Sequence, residues 1–249
     1  MIQLTIIKIT GYGPWTLTLG SDREHKLQML QSSLYEKIQK LFSEKNCLVF
    51  ANRFDELFAI TNGLTLNDHI EIQKKLKELF DLELSMTIGY GQSPFEANLQ
   101  ADKARKSKII LDKDLNIFGF VDGKVDQTVQ IMHIDVDGST YISAKKSPYE
   151  ISSLMFKLYS EMSDFFLAQN SLTFFMGGDN FMVISSGNGK ENATKFLDLI
   201  EKQLDISMNC GIGTAKTARE AAMLATKSLD TIREMRDSGK IQRVLELTC

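Results

Sequence analysis

Apolar residues alternate with polar ones, or run unbroken, over 2–10, 47–51, 56–61 and 83–90, and again over 128–135, 171–176, 180–185 and 205–212. Such short runs predict β-strands. Between them the period changes. Leu27, Leu30, Leu34, Ile38 and Leu41 recur at spacings of three and four, as do Ile151, Leu154, Leu158, Met162 and Phe165. That spacing gives a helix one apolar face. Asn67 and Asn188 are expected to open two further helices, and closing helices are expected around 94–107 and 216–236. The pattern predicts an α+β protein with two tandem ferredoxin-like βαββαβ domains, their helices on one face of an antiparallel sheet.

The two halves also resemble each other residue by residue. QLTIIKITGYG (3–13) parallels TVQIMHIDVDG (128–138), and superposing Ile9 on Ile134 sets Thr10 against Asp135. FANRFDELFAITNG parallels FFMGGDNFMVISSG, with Asp55 against Asp179. LSMTIGYG parallels ISMNCGIG, and each copy continues into EAxxxA, Glu96–Ala101 and Glu220–Ala225. Four matched blocks in one order indicate a duplication. The expected organisation is a first repeat at 1–107, a linker at 108–127 and a second repeat at 128–249. The linker is expected to hold a strand, Ile117–Val121, and a turn at Asp122–Gly123. The paired glycines, Gly89/Gly91 and Gly211/Gly213, read as tight turns.

Composition narrows the chemistry. The chain has 249 residues with a net charge of −3, which disfavours a general nucleic-acid binder. No apolar run reaches the length of a membrane span. Cys47, Cys210 and Cys249 are scattered, so no disulfide framework is implied and a reducing cytoplasm is the simplest setting. The three histidines form no local zinc motif. A catalytic metal would then be a hard ion with oxygen ligands.

Asp135 closes the first strand of the second repeat, and Asp179 sits in the turn of its central hairpin. The topology lets these ends meet, and two carboxylates there could hold magnesium. Gly177 and Gly178 would let backbone N–H groups approach a phosphate; a plain turn explains them too. His133 shares a strand face with Asp135 and is either a proton-transfer group or a structural histidine. Asp137 is either a third carboxylate or a turn residue. Tyr12 and Trp15 either stack on a base or anchor a loop. Lys145–Lys146 read as solvated lysines.

FMGGDNFMV resembles the GGDEF signature of diguanylate cyclases, and HIDVDG is similar to their first-strand aspartate motif. With GYGPWT and NRFDELFAITNG, the whole chain resembles the archaeal type III GTP cyclohydrolases. The resemblance implies a cytoplasmic, magnesium-dependent hydrolase (of the kind also called GTP cyclohydrolase IIa), with GTP as its substrate and a homo-oligomeric state. The reaction it implies opens the imidazole ring and releases two phosphates, leaving 2-amino-5-formylamino-6-(5-phosphoribosylamino)pyrimidin-4(3H)-one for flavin and deazaflavin synthesis. By the same resemblance Asp135 and Asp179 are metal ligands, the carbonyl of Val136 completes the shell, and Gly177, Gly178 and Asn180 back the nucleotide. In the first repeat Asn52, Arg53 and Asp55 would contact base, ribose, phosphate or a monovalent cation, or only stabilise a turn. The alternatives are a diguanylate-cyclase-like nucleotidyl transferase, against which Asn180 replaces the usual second acid, and a non-catalytic nucleotide-binding module.

Overall fold

The computed structural model describes residues 1–120 and 128–249. Internal contacts divide the chain into two compact units, the first holding Met1–Gln92 and the described residues from Glu96, the second Ser93–Phe95 and the described residues from Thr128 to Cys249. The first unit runs β1 (Ile2–Ile9), α1 (Tyr12–Leu17), α2 (Glu24–Ser43), β2 (Leu48–Arg53), β3 (Glu56–Ile60), α3 (Leu66–Leu79), β4 (Leu84–Gly91), α4 (Pro94–Lys106), β5 (Ile110–Asp112) and β6 (Ile117–Gly119). The second runs β7 (Val129–Val136), α5 (Ser139–Ser143), α6 (Pro148–Leu167), β8 (Leu172–Gly177), β9 (Asn180–Ser185), α7 (Gly189–Leu204), β10 (Met208–Ala215), α8 (Ala218–Asp237) and β11 (Val244–Thr248).

Strand order is β2-β3-β1-β4-β6-β5 in one sheet and β11-β10-β7-β9-β8 in the other. The order β2-β3-β1-β4 and its counterpart β8-β9-β7-β10 are the expected ferredoxin-like arrangement, antiparallel throughout. Two expectations are corrected. β5 and β6 belong to the first sheet, with β6, at the expected strand from Ile117, parallel to β4, so this segment is part of the first unit rather than a linker. The second sheet gains its own parallel edge strand, β11. The expected turn at Asp122–Gly123 and the end of the strand at Val121 lie outside the described residues.

Each sheet carries one main core. Ile7, Ile9, Ile38, Phe42, Leu76 and Met86 meet in the first, and Met132, Ile134, Leu158, Phe166, Phe196 and Cys210 in the second. α2 and α3, or α6 and α7, supply the helical side of these cores. The closing helices do not join them. α4 and α8 pack on the opposite face, so each sheet is covered on both sides rather than one. The glycine pairs explain how. They are strand residues, not turns. A Cβ on Gly89 would lie 2.1 Å from the Ala97 carbonyl oxygen, and one on Gly211 2.1 Å from that of Ala225. Only glycine lets the helix backbone come that close. The alanines of EAxxxA are the other half of the contact: Ala97 and Ala101 in one unit, Ala221 and Ala225 in the other, are fully buried.

Helix starts also differ from the pattern reading. α3 begins at Thr65, whose side chain accepts from Asp68 N while Asp68 returns a bond to Thr65 N, leaving Asn67 inside the helix. The reciprocal cap satisfies two otherwise free amides, which Asn67 could not do. α7 does start after Asn188, which takes a left-handed φ of 52° and makes no side-chain cap.

Candidate active site

β7 brings His133 and Asp135 to the α8 face and Val136 to the α6 face, as strand alternation requires. Asp135 is 5 % exposed. Its Oδ2 accepts a hydrogen bond from Arg233 Nη2 at 2.6 Å, while Oδ1 is buried without a hydrogen-bond partner. Burial pushes the Asp135 carboxyl above its ordinary range. Arg233 opposes that shift, and the nearby charge of Asp179 adds to it. A buried carboxylate oxygen with no donor, beside a second carboxylate, has the electrostatics of a cation ligand.

Asp179 arrives from the β8–β9 hairpin. Gly177 and Gly178 have φ of 97° and 62°. A Cβ at Gly177 would meet nothing within 4 Å, so the backbone conformation, not crowding, requires glycine there. The last pair of β7 with β9 is Asp135 with Asn180, which sets the strand end and the hairpin turn side by side. Val136 lies one residue further and lines a cavity of about 430 Å³ with Ser139, Ile142, Phe156, Phe175 and the Gly177–Asp179 turn. This size suits a nucleoside-sized ligand.

The sequence reading named Asp135, Val136, Gly177, Gly178, Asp179 and Asn180, and the structure gathers all six at one edge. Asn180 bridges side chains: its Nδ2 donates to Asp179 Oδ1 at 2.9 Å and its Oδ1 lies 2.9 Å from His133 Nε2. His133 Nδ1 is 3.0 Å from Thr226 Oγ1. Burial lowers the pKa of His133, with Asn180 and Asp135 pulling the other way. Arg233, Arg236 and Thr226 went unnoticed in the sequence. Arg236 pairs with Asp137, which accounts for that carboxylate. Thr226 and Arg233 are seven apart, two turns along one helix face, but the spacing alone does not say which strand that face crosses.

The first unit places its residues differently. Lys8 pairs with Glu56 as Asp135 pairs with Asn180. It stands three residues before Gly11 as Asp135 stands before Gly138, both glycines being left-handed, at φ 63° and 65°. Lys8, not Thr10, therefore occupies the place of Asp135. Lys8 Nζ is 3.1 Å from Glu56, Asn52 Nδ2 donates to Glu56 at 2.9 Å, and Arg53 reaches Asp55 at 3.5 Å and Glu56 at 3.4 Å. Asn52, Arg53 and Asp55 are thus drawn into one ion-paired cluster.

Among the described residues no group of three or more His, Cys, Asp or Glu could hold a metal ion, and no helix is long and apolar enough to cross a membrane. A metal at the Asp135–Asp179 edge would have two carboxylates and take its remaining ligands from water, main chain and phosphate. That is the shell magnesium favours, and the unpartnered Asp135 Oδ1 fits it.

The GTP cyclohydrolase III family model matches residues 1–245. The GTP cyclohydrolase III of Methanothermobacter thermautotrophicus is 35% identical over 236 residues, 94% of this chain and 95% of that protein. The enzyme of the same name from Methanocaldococcus jannaschii is 36% identical over 249 residues, 94% of this chain and 88% of that protein. Among solved structures, a bacterial light-regulated adenylyl cyclase aligns with 99% of the chain and 85% of its own, at 11% identity and a TM-score of 0.43. The full-length match to the family and to relatives above 30% identity makes this chain a member of the GTP cyclohydrolase III family.

Proposed function

We propose that the chain hydrolyses GTP, opening the imidazole ring and releasing two phosphates, at the edge formed by Asp135, Val136 and Asp179 with magnesium as cofactor. The observation that carries this reading is the buried, unpartnered Oδ1 of Asp135 beside Asp179, inside a chain of this family. Magnesium bound there would polarise phosphate oxygens and supply an activated water. The chain's own groups do the rest. The cavity behind Val136 takes the nucleoside and excludes water with Ile142, Phe156 and Phe175. The backbone amides of Gly177 and Gly178 would donate to phosphate oxygens. Arg233 and Arg236, held by Asp135 and Asp137, add fixed positive charge beside the polyphosphate.

The test is to incubate the protein with GTP and magnesium and follow ultraviolet absorbance, phosphate and product mass together. A formylamino-pyrimidine monophosphate with two phosphates per GTP is the expected outcome. A cyclic dinucleotide would replace this reading with the nucleotidyl-transferase one, and tight GTP binding without turnover would replace it with a binding module.

A further inference from the structure

Four side chains from three elements connect the middle of α8 to the hairpin turn: Thr226, His133, Asn180 and Asp179. The contacts are 3.0, 2.9 and 2.9 Å in that order. The direction of every bond follows from the last. A carboxylate accepts and does not donate, so the amide NH₂ of Asn180 faces Asp179 and its oxygen faces His133. That oxygen only accepts, so His133 Nε2 carries the hydrogen. Nδ1 of the neutral ring is then an acceptor, and the Thr226 hydroxyl donates to it. Turning any link round would set two acceptors face to face.

We propose that Thr226, His133 and Asn180 are a positioning chain that fixes the Asp179 carboxylate, and so sets the affinity of the hairpin edge for a divalent cation. The proposal rests on Asp179 being a metal ligand. Asn180 occupies one Asp179 oxygen and leaves the other for the ion. Asn180 is itself held by His133, and His133 by a helix that the glycines of β10 seat directly against the sheet. Hydrogen-bond partners behind a metal ligand change metal affinity by about 10–100-fold when removed. Among its described residues the first unit has no such chain. By the count that sets Lys8 against Asp135, Ile6 stands in the place of His133, and Glu56 faces Lys8 where Asn180 faces Asp135.

The decisive variant is Thr226→Val, which keeps the shape and removes the donor; Thr226→Ser keeps the donor. Two readouts on nucleotide-free protein are needed. In ¹⁵N-histidine spectra, wild type and Thr226→Ser should show His133 protonated at Nε2 only. In Mn²⁺ titrations followed by electron paramagnetic resonance, Thr226→Val should bind about 10-fold more weakly and Thr226→Ser within about twofold of wild type. A His133 protonated at Nδ1 in wild type would overturn the chain. So would a Thr226→Val protein that loses melting temperature but binds Mn²⁺ as wild type does, because that is a purely structural role. Neither readout uses GTP. Absent turnover with both results as expected would therefore sink the proposed reaction and leave the chain standing.

Discussion

The two central hairpins share a place in the same strand order, yet they carry their charge in opposite ways. In the second unit, Asp135 keeps one buried oxygen without a donor and Asp179 stands close enough to raise its pKa. In the first, Lys8 replaces that aspartate and its ammonium rests on Glu56, while Arg53 spans Asp55 and Glu56. The turn differs as well. Gly177 and Gly178 have positive φ, and Arg53 and Phe54 do not. One hairpin end is neutralised by its own side chains; the other leaves room for a cation from solution. A duplicated fold can therefore keep its topology while only one copy keeps an open electrostatic demand.

Four experiments bear on that contrast. The largest effect should come from Asp135→Asn, which removes a charge that the proposed magnesium would use. Such charge is worth several kcal/mol, so kcat/KM for GTP should fall on the order of 10³-fold. Asp55→Asn, in the hairpin end already neutralised by Arg53, should change it by less than about threefold. An equal loss in both variants would move the active site to both units.

Next in size is Gly211→Ala, whose Cβ would lie 2.1 Å from the Ala225 oxygen and 2.4 Å from Leu229 N. Backbone cannot step aside cheaply, so about 3 kcal/mol of stability should be lost in urea titrations. Gly89→Ala should lose as much, since its nearest contact is equally close. Unequal losses would show that the two helices are not seated alike.

Lys8→Asp tests the neutralised hairpin. The side chain of Lys8 is 24% exposed and that of Glu56 13%, so losing the pair should destabilise by about 2 kcal/mol, below the range for a fully buried pair. Added magnesium should restore part of the melting temperature in this variant and leave Asp55→Asn unmoved.

The smallest effect concerns α3, capped by a reciprocal Thr65–Asp68 box where α7 has no side-chain cap. Burial works to raise the Asp68 pKa, but the hydroxyl and amide of Thr65 and the ammonium of Lys45 outweigh it and hold it at about 2. A depressed carboxyl pKa stabilises the fold above the unfolded value of about 4 and loses that contribution as pH falls towards 2. Asp68→Asn should therefore cost about 1 kcal/mol at neutral pH, with the difference from wild type shrinking below pH ~4. A pH-independent difference would remove Lys45 and the charge from the account.

The strand positions and the carboxylate pair were legible because they depend on local period and on a repeat. The strands at 56–60 and 180–185 match their expected bounds to within a residue. What depended on distant contacts was not legible. β5 and β11 are short and gain their identity only by pairing with a sheet edge; β6, at the expected strand from Ile117, was legible as a strand but not as a member of the first sheet. The register of Lys8 was misread because similarity of letters favoured Ile9 on Ile134, whereas strand pairing and the left-handed glycines favour a shift of two residues. Gly-x-Gly suggested a turn because a glycine pair carries no sign of the helix above it. Arg233 lies 98 positions from Asp135, and no local pattern joins them.

The glycine floor under α8 also has a consequence for inheritance. Gly211 is the strand partner of His133, and two residues on along β7 Asp135 meets Arg233. The height of the helix above the sheet is thus the ruler against which the arginine and the threonine are measured. A lineage that gained one methyl group there would lift that ruler by more than the slack of a hydrogen bond. The carboxylates would remain in its gene, correctly spelled, while the lock they belong to stood out of alignment.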